Sequence, residues 1–243
     1  MYLTILYLLN LLSMLQPTEI PEADSLVIFS PTRTYHYQAT FISPAGDTLS
    51  RERIAFKPSS QPWKYDKDQT AFEIRYNYTP EDSLTFLSYL NPQSKKKKKP
   101  QRYIWDESVT TGAKENEQQV WIHPIRNNQY NYTEVAPYPD VRLDSLEAGG
   151  EWNSTLLIMM GWGAFKGKVE SHYQVVKQEH RQYGSLSLDS CWLVHAVGKH
   201  SKLADSYLDF YFHPEYGFVE MNYRFYDGTK ISFVLEEVIE KEV

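Results

Sequence analysis

The chain has 243 residues, of which 42% are hydrophobic and 23% charged, with a net charge of −6. That is enough apolar material for one all-β domain or two small ones, and it excludes a globally disordered chain. The negative balance speaks against nucleic acid, since phosphate contacts would have to come from a local patch. A lone cysteine, Cys191, excludes an intramolecular disulfide framework and every multi-cysteine metal site. Tyrosine is the compositional outlier, with 19 residues. It suits half-buried pleated surfaces, because the ring packs while the hydroxyl stays hydrated.

Leu3 to Leu15 is an apolar run broken only by Thr4, Asn10 and Ser13. It is shorter than the ~20 residues of a membrane span and matches the core of a signal peptide. No Lys or Arg precedes it, and no small-x-small cleavage site follows. We read residues 1–16 as a signal peptide or apolar anchor, 17–25 as a linker, and 26–243 as one antiparallel β domain. No cysteine sits just after the run, so the expectation is an exported protein that is not a lipoprotein.

Arg33 to Ile42 alternates, with Tyr35, Tyr37, Ala39 and Phe41 on one face. Pro44 to Asp47 is a turn, and Thr48 to Lys57 returns with Leu49, Ile54 and Phe56. A loop holding Pro58 and Pro62 leads to a third strand, Thr70 to Tyr78. Thr79-Pro80-Glu81-Asp82 then opens a helix: a hydroxyl N-cap, Pro at the first helical position and early acids each suit a helix start. Leu84, Leu87 and Leu90 give this helix an apolar stripe before Asn91-Pro92 stops it. Lys95, Lys96, Lys97, Lys98 and Lys99 follow. Five adjacent ammonium groups cannot be buried together, so this is a solvated loop and a candidate contact for an anionic lipid or polysaccharide surface. No aromatic residues interleave with the lysines, so there is no stacking platform for single-stranded nucleic acid.

Arg102 to Trp105 and Gln119 to Ile125 read as short strands around a polar loop containing Gly112. Asn127 to Asp140 is rich in Asn, Tyr and Pro, and its prolines hold the backbone extended, which predicts an ordered crossing along a sheet edge. Thr155 to Met160 is a buried run, and Gly161-Trp162-Gly163 marks a bend. Val169 to Lys177, Cys191 to Gly198 and Tyr207 to His213 are further strands. Gly217 to Tyr226 then pairs with the return strand through Asp227-Gly228, read as a type I′ hairpin. The expected fold is mainly β: an antiparallel, strongly curved sheet or half-open barrel with one short helix packed on or in it.

Chemistry is sparse. Cys191 reads as a buried, inert thiol. On one strand it stands ~13 Å from His195, whereas a nucleophile and its base need ~3 Å. No His-x-x-x-His or His-Glu-x-x-His pattern exists, and Asp66-x-Asp68 lacks the glycine and distal glutamate of a calcium loop. No metal or cofactor is expected. The sequons at Asn77, Asn131 and Asn153 are read as chance. The best acid–base cluster is His195 and His213 with Asp209, the basis of a hydrolase reading. Tyr207, Asp209, Tyr211 and His213 share a hydrogen-bonding aromatic face, which makes them, with His195, the candidate ligand-binding residues.

The sequence from Pro137-Tyr138-Pro139 through Glu151-Trp152, Gly161-Trp162-Gly163, Asp189-Ser190-Cys191-Trp192 and Phe212-His213-Pro214-Glu215-Tyr216-Gly217-Phe218-Val219 ends in the Asp-Gly hairpin. In this layout the chain resembles uncharacterised bacterial exported proteins whose fold is similar to LolA/LolB-type lipoprotein carriers. The resemblance implies an open, half-closed β-barrel around a short helix, with an apolar interior, in the periplasm or cell envelope. The carriers' lipid-binding positions have no motif here onto which they transfer. The function expected is non-enzymatic binding of a lipid or other amphiphile in the concave sheet. The alternative is a surface carbohydrate-binding or structural module using exposed Trp63, Trp105, Trp121 or tyrosines.

Overall fold

The computed structural model describes residues 27–82, 105–158 and 166–241. The expected signal peptide or anchor, linker, helical stripe, lysine run, Arg102 and Gly161-Trp162-Gly163 bend lie outside them. The described chain forms β1 (Arg33–Ile42), β2 (Thr48–Trp63), β3 (Asp66–Arg75), β4 (Ser108–Glu115), β5 (Gln119–Ile122), β6 (Asp140–Arg142), β7 (Glu151–Ile158), β8 (Gly167–Tyr183), β9 (Leu186–His200), β10 (Ser206–His213), β11 (Gly217–Arg224) and β12 (Lys230–Glu240). They make one antiparallel sheet in the order β6-β5-β4-β3-β2-β1-β12-β11-β10-β9-β8-β7. The sheet curls into a nearly closed barrel whose one unsealed seam lies between the edge strands β6 and β7.

Period-two patterning decides which face turns inward. Tyr35, Tyr37, Ala39 and Phe41 on β1, Phe72 and Ile74 on β3, Leu208, Phe210 and Phe212 on β10, and Ile231, Phe233 and Leu235 on β12 are all buried. Tyr37 donates its hydroxyl hydrogen to the Phe218 carbonyl at 2.7 Å, so this interior tyrosine leaves no orphan donor. Burial pushes its ionisation far up. Cys191 is buried as expected, with its thiol pushed up to about 11 by burial.

Four expectations change. The Pro58–Pro62 stretch is not a loop: β2 continues to Trp63, with register shifts beside both prolines. β1 covers β2 only as far as Phe56, and proline is tolerated where one side of a strand has no partner or a bulge intervenes. The polar loop around Gly112 is strand β4. Glycine is needed there because a Cβ would lie 2.0 Å from Gln69 Oε1 and 2.9 Å from the Trp63 ring. The Asp227-Gly228 hairpin forms, but its turn is not type I′. Gly228 alone is left-handed, at φ 89°, while Asp227 uses its side chain to accept the Thr229 N–H at 2.9 Å.

The fourth change matters most. Residues 124–139 do not run along an edge but cross the inside of the barrel, with a 3-10 helix, Asn128–Val135, at their centre. Tyr130 packs on Phe233 and Tyr76, and Tyr132 on Phe225. At the far side Pro137 rests on Gly198 of β9, where a Cβ would lie 2.9 Å from Pro137 Cδ. Thus the concave face is filled by its own chain. The Thr79 cap forms as its sequence predicts. Asp82 N–H donates to Thr79 Oγ1 at 3.1 Å, and Thr79 N–H donates back to Asp82 Oδ2 at 2.9 Å.

Candidate functional site: the seam cleft

Among the described residues, a short strand pairing only with β5 ends one side of the sheet, and β7, pairing only with β8, ends the other. Between them lies a cleft of about 220 Å³. Its β5–β6 wall is Gln119, Trp121, Asp140 and Arg142, and its floor is Ala136 and Tyr138 from the crossing segment. The opposite wall is Ser154, Thr155 and Leu156 of β7, with Ser171 of β8 behind. Three consecutive residues cannot share one face of a strand. Their joint presence means that this wall is the strand's edge, where backbone groups have no ladder partner.

The cleft is apolar along Trp121, Tyr138 and Leu156 and polar near Asp140. Gln119 Nε2 donates to Asp140 Oδ1 at 2.8 Å, and Arg142 Nε stands 4.0 Å from the same oxygen. Burial, the largest influence, raises the Asp140 carboxyl above its usual range, with Gln119 and then Arg142 pulling it back. Tyr173 ties floor to wall: its hydroxyl donates to the Tyr138 carbonyl at 3.0 Å and lies 3.3 Å from Ser154 Oγ. Trp152 stacks on the Tyr173 ring, with centroids 5.2 Å apart. Beside the cleft His123 sits in an aromatic box, 4.9 Å from both Trp63 and Trp121. Burial there pushes its imidazolium down to about 4, so it is neutral at physiological pH.

The residues singled out from sequence lie elsewhere. Tyr207, Asp209, Tyr211 and His213 alternate with the buried Leu208, Phe210 and Phe212, and so occupy the convex, solvent-facing side of β10. Register places Asp209 opposite His195, with the His195 Nδ1–Asp209 Oδ1 distance 2.5 Å. Arg224 covers the Tyr207 ring and Arg181 the Tyr211 ring, each at 4.2 Å, and Tyr211 donates to Glu179 at 2.7 Å. His213 does not join them. It sits opposite Gly217, four residues from Asp209 along the strand, which is ~13 Å. The hydrolase cluster is therefore not assembled. Among the described residues no group of three or more His, Cys, Asp and Glu side chains is placed to hold a metal ion.

Nor do the tryptophans form an exposed sugar platform, since Trp63 and Trp105 are buried. Trp63 points inward beneath Gly112, and Trp105 packs edge-on against Tyr78. What sequence reasoning missed is the seam set of Gln119, Tyr138, Asp140 and Ser154, into which Trp121 is drawn. The Pro137-Tyr138-Pro139-Asp140 segment was visible, but the meeting of two chain edges was not.

No family model and no curated protein matches the chain. Solved structures do match at low identity. A Bacteroides fragilis protein described as exported, with a YmcC-like fold, is 8% identical, covering 86% of this chain and 96% of its own, at TM-score 0.49. A Parabacteroides distasonis protein described as a lipoprotein is 12% identical over 88% of this chain and 100% of its own, at TM-score 0.44. A β-barrel-like protein of a domain of unknown function from Brucella abortus is 11% identical over 86% of this chain and 98% of its own, at TM-score 0.42. These three are described as exported, lipoprotein or β-barrel-like proteins, not as LolA-type carriers.

Proposed function

We propose that the protein is a non-enzymatic protein of the bacterial cell envelope that binds a lipid or other amphiphile at the seam between β6 and β7. The observation that carries this reading is the cleft itself. An apolar strip of Trp121, Tyr138 and Leu156 runs to a polar end at Gln119, Asp140 and Arg142, a division that suits a ligand with a tail and a head. The binding place thus moves from the whole concave sheet to its seam, because residues 124–139 occupy the interior. At about 220 Å³ the cleft is smaller than the ~300 Å³ lower bound of ordinary ligand pockets, so it takes one end of a chain. The remainder then follows the open seam.

Native mass spectrometry of protein purified from its own host tests this, together with titration of fatty acid, alkanol and alkylamine of equal chain length against Trp fluorescence. We expect bound amphiphile, and binding at least tenfold weaker in Leu156→Arg, which sets a charge in the apolar strip. No co-purified lipid and no saturable binding of any of the three probes would overturn the proposal.

A further inference from the structure

The crossing segment is held at one point by a buried acid. Glu52 of β2 is 3% exposed and points into the barrel. Tyr130 donates its hydroxyl hydrogen to Glu52 Oε1 at 2.5 Å, and Gln129 Nε2 donates to the same oxygen at 2.8 Å. Both donors belong to the 3-10 helix, so the join is between barrel wall and inner segment. The other oxygen, Oε2, is buried with no partner at hydrogen-bond distance among the described residues, as is Gln129 Oε1; the Asn77 backbone N–H adds only a weaker pull on the carboxyl. An ionised carboxylate would leave Oε2 with no donor at hydrogen-bond distance among the described residues, whereas a protonated one carries its own donor.

We propose that Glu52 is a proton-operated latch. Protonated, the carboxyl sits neutral between β2 and the inner segment; ionised, its charge is buried at a cost that the bonds from Gln129 and Tyr130 do not offset, and the segment lifts from β2. The segment continues into Ala136 and Tyr138, the floor of the seam cleft, so release also loosens that floor.

Among the described residues the titratable groups around the carboxyl are few. Tyr130 faces it from the 3-10 helix, Tyr76 from the chain after β3, and Asp82 from the helix start. Asp106 and Arg126 act on Tyr76 behind it. Burial dominates and holds the proton to about pH 7, against 4.5 ordinarily. The bonds from Tyr130 and Gln129, and more weakly the Asn77 backbone N–H, pull the other way, and Asp82 adds to the rise. If the lifted acid regains its ordinary value, opening becomes roughly 30-fold more frequent between about pH 5.5 and about pH 8.5.

Hydrogen exchange of the Tyr130 and Ala136 amides, corrected for intrinsic rates, tests this in the full chain. Their internal bonds, to Asn127 and Thr133, report on the segment alone. Amides of β11 and β12 serve as the reference for global unfolding. We expect protection at Tyr130 and Ala136 to fall by that factor as pH rises, with the β11–β12 amides changing less. Glu52→Gln, which keeps a neutral carboxamide at every pH, removes the dependence. Tyr130→Phe deletes a donor that favours the ionised form, and so moves the transition to higher pH. The latch is wrong if both sets of amides change in step, if Glu52→Gln keeps the wild-type dependence, or if Tyr130→Phe leaves the transition where it was. None of these readouts depends on an amphiphile binding the seam.

Discussion

Two buried groups titrate in opposite directions across the same pH window, and this makes a sharp prediction about stability. Glu52 holds its proton to about pH 7 when folded, against 4.5 when unfolded. Its contribution is full below the unfolded value and is lost as pH rises through the folded one. His123 is lowered to about 4 from 6.5, chiefly by burial and then by Arg126. Its contribution is full above the unfolded value and is lost as pH falls toward the folded one. One pH unit is worth about 1.4 kcal/mol, so each group changes stability by on the order of 3 kcal/mol. In the wild type these two contributions to the unfolding free energy, read from urea melts at about pH 4.5 and about pH 7, offset each other to within roughly 1 kcal/mol. Glu52→Gln removes one arm, so stability rises with pH by ~3 kcal/mol; His123→Phe removes the other, so it falls with pH by ~3 kcal/mol. His36 and His213, both lowered, and Asp140, raised, remain in all three proteins and drop out of the comparison. Parallel pH profiles for the wild type and the two variants would refute the assignment of these groups as buried and uncompensated.

Other outcomes follow from single contacts. Glu115 receives the backbone N–H groups of Val27, Ile28 and Phe29 at 3.1, 2.9 and 2.8 Å, and the Tyr35 hydroxyl donates to the Ile28 carbonyl. Glu115→Ala leaves part-buried amides without an acceptor and costs about 2–4 kcal/mol in urea unfolding; a loss under ~0.5 kcal/mol means that water replaces the carboxylate. Gly198→Ala places a Cβ 2.9 Å from Pro137 Cδ and 3.2 Å from its backbone nitrogen, which a side-chain rotation cannot relieve. We expect a loss of about 1–3 kcal/mol and faster exchange at Ala136, and an unchanged melting curve would show that Pro137 does not bear on β9.

Much of this fold is written in local sequence. The alternation of Tyr35 to Phe41, Leu208 to Phe212 and Ile231 to Leu235 fixed which faces are buried, because side chains reverse at every residue of a strand. The Thr79 cap was legible for a similar reason, since its hydrogen bonds span only three residues. Sequence also separated Cys191 from His195, as any strand must. It misread the Pro58–Pro62 stretch and Gly112, because proline and glycine signal loops unless a bulge or a side chain packed over the backbone licenses them.

Tertiary structure alone decided where ligand chemistry is available. Nothing local tells residues 124–139 to cross the barrel rather than skirt it, since that depends on Glu52 and Gly198 offering partners from strands far along the chain. Nor does any pattern reveal that the hydrogen-bonding face of β10 turns to solvent. Alternation marks Leu208, Phe210 and Phe212 as a core face, and only closure of the sheet says whether the opposite face is covered or left to solvent. The seam is the plainest case, for Asp140 and Ser154 belong to strands at opposite ends of the sheet order and meet only because twelve strands curl almost, but not fully, shut.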